Sequence, residues 1–387
     1  MTNTIMTAPD QVPPDLPKTR RERLARILPA LGSLQGYVGL VLVILVGLIT
    51  KGQIFWNQTN LLNAITAFSS RGILAVGVTM VILTGGIDLS VGSLLGVGSM
   101  TAALLLVHLG WTPWLIVPAC AIVGAVFGLA NGIGTTWFRI QSFVMTLAML
   151  NVARGIDGQV SNNVAIGTQL TNNAGNLTSQ AAAFAKLGTP GHNLVQGSWL
   201  PVLGQVGIGY PVIAFVVVCI VFQLILSKTP FGRHVYAVGG NPTAARLSGV
   251  NVMAVTIGVF AISGLLAGFA GPIDAAYTSS ADPLAGTSYE LDAIAACVIG
   301  GTSLAGGKGN VTGTFVGALI LALLDNVLGL NSISSDMQLI FKGLIVVVAV
   351  VIQRPDFFRS FLGLVGRIKT TFGRGNVKET LPSKEAK

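Results

Sequence analysis

Residues 72–93 read GILAVGVTMVILTGGIDLSVGS: an apolar run ends in a Gly-Gly pair, and a carboxylate, Asp88, follows shortly after it. About 20 apolar residues cross the hydrocarbon core of a bilayer, and the run from Leu62 to Thr84 is long enough to do so. The glycines break the helix, and broken backbone at membrane depth persists only where protein or water satisfies its polar groups. The stretch therefore predicts a membrane span that ends in a helix break at Asp88, inside the protein and not in an exposed loop.

The composition of the whole chain is typical of a membrane protein. Of the 387 residues, 52% are hydrophobic and only 10% are charged, whereas a soluble domain carries about 25% charged residues. The 49 glycines favour helices that pack closely in lipid. Such a low content of charged residues disfavours a large soluble protein. We therefore expect an all-α fold, namely a polytopic transmembrane helical bundle of about ten spans, some of them broken or re-entrant.

Apolar stretches of near-spanning length recur along the chain. The predicted spans are Leu31–Thr50, Leu62–Thr84, Val91–Val107, Pro113–Phe138, Phe143–Arg154, Val206–Leu226, Val252–Ala270, Tyr289–Gly301, Val311–Leu330 and Leu339–Ile352. The fifth and eighth of these are too short or too polar for ordinary crossings. Since Glu290 and Asp292 begin the eighth, and a charge that faces lipid is costly, we expect that segment to pack inside the bundle.

Both ends of the chain are basic, within a net charge of +9. Basic flanks stay in the cytoplasm, so both termini are expected inside, and no nucleic acid is expected as a partner. The predicted organisation is a cytoplasmic N-terminal tail (1–30), a transmembrane domain (31–353) and a cytoplasmic C-terminal tail (354–387). The polar segment 158–205 has Lys186 as its only Lys or Arg, which predicts an external insert.

A second segment, Ile299–Gly309, has the pattern of the break at Asp88. Both contain a Gly-Gly pair, small polar residues and a leucine before a long apolar run. Paired glycine-interrupted segments point to a translocation path, although two ordinary inter-helix turns would show the same pattern. Polar groups inside apolar runs usually face a cavity or a partner. The candidates for lining a path are therefore Asp88, Ser90, Glu290, Asp292 and Asn326.

The stretch Ser227–Asn251 separates two clear spans, and its basic residues place it in the cytoplasm. A connection of about 25 residues is long enough to require a function or to be disordered. Pro242 suits the first position of a helix, which predicts a short helix over Thr243–Leu247 after a Gly-Gly-Asn-Pro turn. Such a helix is suited to docking into a groove of a soluble partner.

The sequence carries no motif of a catalytic or cofactor-binding protein. No G-x-x-x-x-G-K-[ST] loop is present, so this chain is not expected to hydrolyse ATP. Cys120, Cys219 and Cys297 each lie in an apolar run, with neither metal spacing nor a disulfide framework. We therefore expect no enzyme, no metal site and no bound cofactor.

Three phrases of the sequence resemble those of sugar ABC-importer permeases of the ribose/xylose type. They are residues 72–93, 231–252 (FGRHVYAVGGNPTAARLSGVNV) and 289–313 (YELDAIAACVIGGTSLAGGKGNVTG), in the family's order. The similarity extends from Asn60 to Gln353. The resemblance implies the permease subunit of a monosaccharide importer in the bacterial inner (plasma) membrane.

The same resemblance implies the partners of the chain. They are a second permease copy in a homodimer, membrane lipid, a cytoplasmic ATP-binding subunit that uses the ATP, and a periplasmic or extracellular sugar-binding protein. The family's ATPase-coupling residues fall on Gly239, Gly240, Asn241, Ala244, Ala245, Arg246 and Gly249. The segment 158–205 is longer and more polar than in ribose-type members. Ribose, xylose, another pentose, a hexose or inositol all remain open as the substrate.

An ion-coupled secondary transporter of a small polar solute is the alternative. Such a protein would use intramembrane carboxylates as relays, and Asp88, Glu290 and Asp325 would be the candidates. The coupling loop and the three family phrases favour the importer.

Overall fold

The computed structural model describes residues 20–189 and 208–352, with the side chains of residues 36–189 and 208–351. The predicted C-terminal tail, most of the predicted N-terminal tail and residues 190–205 of the predicted external insert lie outside the described residues. Residues 20–30, predicted as part of the N-terminal tail, begin the first helix.

Helices dominate the described part of the chain and are labelled in chain order. They are α1 (Arg20–Phe55), α2 (Gln58–Leu83), α3 (Val91–Leu109), α4 (Pro113–Thr136), α5 (Ser142–Ser161), α6 (Ser179–Ala185), α7 (Tyr210–Lys228), α8 (Pro230–Gly240), α9 (Pro242–Leu247), α10 (Val252–Thr278), α11 (Tyr289–Ile299), α12 (Val311–Leu330) and α13 (Ser335–Ile352). Two short strands, β1 (Ile166–Gly167) and β2 (Ser280–Ala281), pair antiparallel.

Seven of the described helices are long and apolar enough to cross a membrane. They are α2, α3, α4, α7, α10, α12 and the part of α1 from Gly36 onward. This set confirms the predicted all-α, polytopic membrane fold. The predicted fifth span, Phe143–Arg154, lies within α5, a 20-residue helix that continues to Ser161 and is not one of these seven. Asp157, which interrupts the apolar pattern there, turns into the protein and is 1% exposed.

The predicted eighth span is a short helix, as its sequence indicated. α11 has 11 residues and carries Glu290 and Asp292 in its first turn. Both carboxylates are half-buried, and α11 packs against α2, α12 and α13. Neither carboxylate is fully exposed, which agrees with the expected packing of this segment inside the bundle.

α2 forms the centre of the bundle. Its residues from Ile73 to Leu83 are all buried, and α7, α10, α11 and α12 pack around it. α4 and α10 approach each other backbone to backbone, since a methyl group at Gly124 would overlap the carbonyl oxygen of Gly264. Small residues at four-residue spacing thus create the close helix packing that membrane bundles favour.

The two ends of the bundle differ in charge. The α4–α5, α7–α10 and α11–α12 connections carry exposed basic side chains: Arg139, Lys228, Arg233, Arg246 and Lys308. These connections lie where α2 finishes, since the Gly307 N–H donates to the Leu83 carbonyl (2.9 Å) and the Ile87 N–H donates to Ser142 Oγ (3.2 Å). This end is termed the basic end, and the other, where α1 meets α2, the opposite end. The basic end is the one expected in the cytoplasm.

Candidate functional site

A cavity of about 440 Å³, with apolar and polar lining residues, lies between α2 and α12. Its polar lining consists of amide and charged side chains: Asn63, Arg71, Asp325 and Asn326. A hollow of about 470 Å³, lined in part by Gln53, Asn57 and Asn60, also includes Asn63 and lies at the opposite end of the bundle. Because amides offer both donors and acceptors, the two hollows together suit a neutral, hydroxyl-rich solute.

Arg71 and Asp325 in the cavity wall belong to a ring of four charges from four helices, termed the charge ring. Arg71 of α2 lies 3.3 Å from Asp292 of α11 and 3.1 Å from Asp325 of α12. Lys342 of α13 lies 3.3 Å from Asp292 and 3.0 Å from Asp325. Each carboxylate therefore contacts both cations, and the ring is neutral as a whole. Neutrality lets these charges lie inside a membrane bundle.

Neighbouring side chains hold the charge ring in place. The Arg71 guanidinium lies over the Tyr289 ring, 4.4 Å from its centroid, at cation–π distance. Asn326 and Asn60 exchange amide hydrogen bonds of 2.8 and 2.9 Å. Asn326, a predicted path residue, thus lines the cavity while its amide ties α12 to the start of α2.

Asp88 lies in the α2–α3 break and is fully buried, as its Gly-Gly lead-in indicated. Its Oδ1 accepts from the Ser90 N–H (3.0 Å) and hydroxyl (2.6 Å), and its Oδ2 accepts from the Ser263 hydroxyl of α10 (2.8 Å). The Asn131 amide of α4 donates to Ser90 Oγ (2.9 Å). Asp88 and Ser90 therefore fasten the break to α4 and α10, and neither lines the cavity between α2 and α12.

Glu290 lies in a third place, against α3 and α5. A methyl group at Gly92 would overlap the Glu290 carboxylate. The neighbouring Arg154 of α5 donates to the Pro283 carbonyl (3.1 Å) and to the Ala285 carbonyl in the α10–α11 connection. Of the five predicted path residues, the structure brings only Asp292 and Asn326 to the cavity region.

The predicted coupling stretch holds two helices. The short helix expected over Thr243–Leu247 is present as α9, and the Asn241 side chain caps it by accepting from the N–H groups of Thr243 and Ala244 (both 3.0 Å). α8 is an addition that the sequence did not predict. Gly239 and Gly240 belong to its last turn and not to a loop, so the expected Gly-Gly-Asn-Pro turn is confined to the connection at Asn241.

The structure places one of the predicted coupling residues of α9 inside the bundle. Ala245, predicted among the coupling residues, is only 5% exposed and belongs to the main hydrophobic core. Leu247 is 84% exposed, and Ala244 and Arg246 are also exposed. Ala245 therefore anchors α9 on the bundle, while its neighbours face outward. Gly249 ends the segment with a φ of 85°, a conformation that glycine adopts without strain.

Sequence reasoning missed the cations of the charge ring and the residues that fasten Asp88. Arg71 and Lys342 each interrupt an apolar run, and a base at membrane depth requires an acid beside it. That signal pairs them with acids such as Asp292 and Asp325. Nothing in the sequence singles out Asn131 or Ser263. No group of three or more metal-ligating side chains occurs within the described residues.

A helical bundle with seven candidate spans among its described helices, and with a neutral charge ring inside it, is typical of an integral membrane protein. Residues 60–350 match the family described as "Branched-chain amino acid transport system / permease component", and the chain belongs to this family of transport permeases.

Similar curated proteins are sugar permeases. The ribose import permease protein RbsC of Haemophilus influenzae is 41% identical over 312 residues, which cover 80% of this chain and 89% of the relative. RbsC of Escherichia coli K12 is 40% identical, with 81% and 91% covered. The xylose transport system permease protein XylH of the same strain is 34% identical, with 82% and 91% covered. No solved structure matches the chain. None of these matches supports the ion-coupled alternative.

Proposed function

We propose that this chain is the membrane-spanning subunit of an ATP-driven importer that carries a monosaccharide of the ribose or xylose class across the bacterial inner membrane. A cytoplasmic subunit binds and hydrolyses the ATP, and a binding protein delivers the sugar from outside. The chain performs no catalysis and binds no cofactor. Its tails and the basic end face the cytoplasm.

The observation that supports an ATPase subunit as a partner is the outward face of α9. Leu247 is 84% exposed on a connection between two spans, where lipid tails do not reach it. Exposed basic side chains surround the same end of the bundle, Arg233 and Arg246 among them. An apolar anchor within a basic rim suits an acidic-edged groove on a soluble partner.

The cavity between α2 and α12 supports the sugar as substrate. A monosaccharide is neutral and rich in hydroxyl groups, and Asn63, Asn326 and the charge ring offer donors and acceptors to it. Ala67 and Leu330, which also line the cavity, offer an apolar surface to the carbon face of a sugar ring. The identity to ribose permeases over most of the chain favours ribose over xylose.

The described part of the external insert supports contact with the binding protein. β1 of the insert pairs with β2 at the start of the α10–α11 connection, with Ile166 opposite Ala281, and Phe184 of α6 is fully buried. The insert is thereby tied to the opposite end of the bundle, where a delivered sugar would enter.

Uptake by the reconstituted complex tests this proposal. The chain is placed in liposomes with its ATPase subunit and binding protein, and labelled ribose, xylose, galactose and inositol are supplied in turn. We expect ATP-dependent uptake of ribose above that of the others. Asn63→Ala should lower uptake by about tenfold, the scale of a lost hydrogen bond to a bound solute, whereas Asn331→Ala, outside the cavity lining, should not. Absence of ATP-dependent uptake of every sugar would overturn the proposal.

A further inference from the structure

Three Gly-Gly pairs that are far apart in the sequence meet at the basic end. Gly85–Gly86 follow α2, Gly239–Gly240 end α8, and Gly306–Gly307 lie in the α11–α12 connection. The Gly307 N–H donates to the Leu83 carbonyl at 2.9 Å. This meeting point, defined by the three pairs and the Leu83 carbonyl, is termed the glycine junction.

Gly239 occupies the centre of the glycine junction. A methyl group there would overlap the Leu83 carbonyl oxygen and lie 2.6 Å from the Gly307 nitrogen. Gly306 and Gly307 have φ values of 85° and 72°, and methyl groups on them would lie 3.0 Å from the backbone of Gly239 and Gly240 respectively. Three backbone segments are thus in direct contact, because no side chain separates them.

On one side of the junction, the α2–α3 break is hydrogen-bonded to two further helices. The Ile87 N–H donates to Ser142 Oγ and the Leu89 N–H to Thr146 Oγ1, both on α5 (3.2 and 3.1 Å). Asp88 accepts from Ser263 of α10 (2.8 Å). A displacement of this break would therefore reach α5 and α10 through hydrogen bonds.

On the other side of the junction, the α11–α12 connection and the start of α12 are hydrogen-bonded to α8 and α7. The Tyr236 hydroxyl of α8 donates to the Gly309 carbonyl (2.8 Å). A phenol has an ordinary pKa of about 10 and is therefore a donor at neutral pH, and burial raises the pKa of Tyr236 further. The Gln223 side chain of α7 accepts from the Val311 and Thr312 N–H groups at the start of α12 (3.0 and 3.2 Å). α8 therefore contacts this connection through the Tyr236 side chain as well as through its backbone at Gly239.

We propose that the glycine junction is the joint through which α8 and α9 move both broken segments at once, with Gly239 and Tyr236 as positioning residues. The inference rests on the proposed function, in which the ATPase engages α9. When the ATPase displaces the pair α8–α9, the α2–α3 break and the α11–α12 connection follow together, because neither can slide past Gly239. The two halves of the bundle are thereby switched in one step.

The test compares two glycines in the full complex. A methyl group at Gly343 of α13, outside the junction, meets nothing within 4 Å, so Gly343→Ala is the matched control for Gly239→Ala. Both variants leave the exposed face of α9 unchanged and should co-purify with the ATPase subunit. We expect Gly239→Ala to lose at least tenfold of the ATPase stimulation by ribose-loaded binding protein, within the range of about 5–150-fold typical of coupling between sites. Gly343→Ala should keep it.

The outcomes separate the joint from the proposed function. Absence of stimulation in the wild-type complex overturns the function and the joint together. Equal stimulation in the wild-type and Gly239→Ala complexes overturns the joint alone. If Gly239→Ala does not accumulate in the membrane, Tyr236→Phe decides, because it removes only the hydroxyl bond to Gly309. We expect that variant to assemble normally and to lose stimulation about fivefold, and undiminished stimulation would refute the joint.

Discussion

At the scale of single residues, the ionised groups between α2 and α12 are arranged as a closed ring and not as separate pairs. Asp292 and Asp325 each lie within 3.3 Å of both Arg71 and Lys342. All four side chains are between 13% and 23% exposed, so water screens them only in part. Removing one charge leaves the other three unbalanced, and burial of an uncompensated charge is costly.

The first prediction concerns Lys342. Lys342→Met should lower the free energy of unfolding by about 1–3 kcal/mol, less than the 3–5 kcal/mol typical of breaking a fully buried pair, because the ring is partly exposed. The measurement is the midpoint of thermal denaturation in detergent. Adding Asp325→Asn to Lys342→Met restores neutrality and should recover part of the loss.

Lys186→Met is the control for this prediction. Lys186 is exposed and makes no ion pair within the described part of the chain, so its replacement should leave the midpoint unchanged. A double variant as unstable as Lys342→Met alone would show that charge balance does not explain the effect.

The charges also show how far single residues could be predicted from the sequence. Asp292 and Asn326 stand out as polar groups in apolar runs, and both lie at the cavity region. Asp88 stands out for the same reason but is fully buried away from the cavity. Polarity within an apolar run indicates that a residue faces inward. Whether it faces a cavity or a hydroxyl such as that of Ser263 depends on tertiary contacts that the sequence does not reveal.

At the scale of elements, the connection between α7 and α10 is a structured unit and not a loop. α8 buries Val235 and Val238, and α9 buries Ala245, in the same hydrophobic core as α2. α9 was predictable from Pro242, because proline favours the first turn of a helix. α8 was not, since its glycines suggest a turn unless the close approach of Leu83 and Gly307 is known. Tertiary contact here overrides local propensity.

The second prediction concerns Leu247. Leu247→Glu should abolish association with the ATPase subunit, since it places a charge at the exposed apolar centre of the proposed docking face. Membrane insertion and thermal stability should stay unchanged, because the side chain is 84% exposed. Co-purification with the ATPase subunit is the measurement, and Leu247→Met, which keeps an apolar side chain, is the control. Normal co-purification of Leu247→Glu would contradict the assignment of α9 as the docking helix.

At the scale of the whole molecule, the described part of α5 presents an outward stripe that lipid does not suit. Asn151, Gly155 and Gln159 of α5 are all exposed, and their spacing of four places them on one stripe of the helix. The amide of Asn151 is occupied in part by the Leu147 carbonyl of its own helix (3.0 Å). The all-α class and most spans were predictable from hydropathy, but this stripe required the extension of α5 beyond Arg154.

The third prediction is that a second copy of the chain covers this stripe. In a two-fold symmetric dimer the same surface of both copies is in contact, so residue 155 of one copy should lie near its equivalent in the other. A methyl group at Gly155 meets nothing within 4 Å, and the native cysteines at positions 120, 219 and 297 are buried. Gly155→Cys should therefore form a dimer with a short bifunctional thiol reagent in membranes.

Ile122→Cys separates this contact from random collision. Ile122 of α4 is 64% exposed on a wholly apolar part of the surface, which suits lipid, so a cysteine there should react with a monofunctional reagent but form no dimer. Equal cross-linking at both positions would mean that the copies meet by diffusion. Cross-linking at neither position would mean that another partner, or water, covers the α5 stripe. Cross-linking at position 155 alone would place Asn151 and Gln159 at the contact between the two copies, where their amides hydrogen-bond across the interface instead of facing lipid.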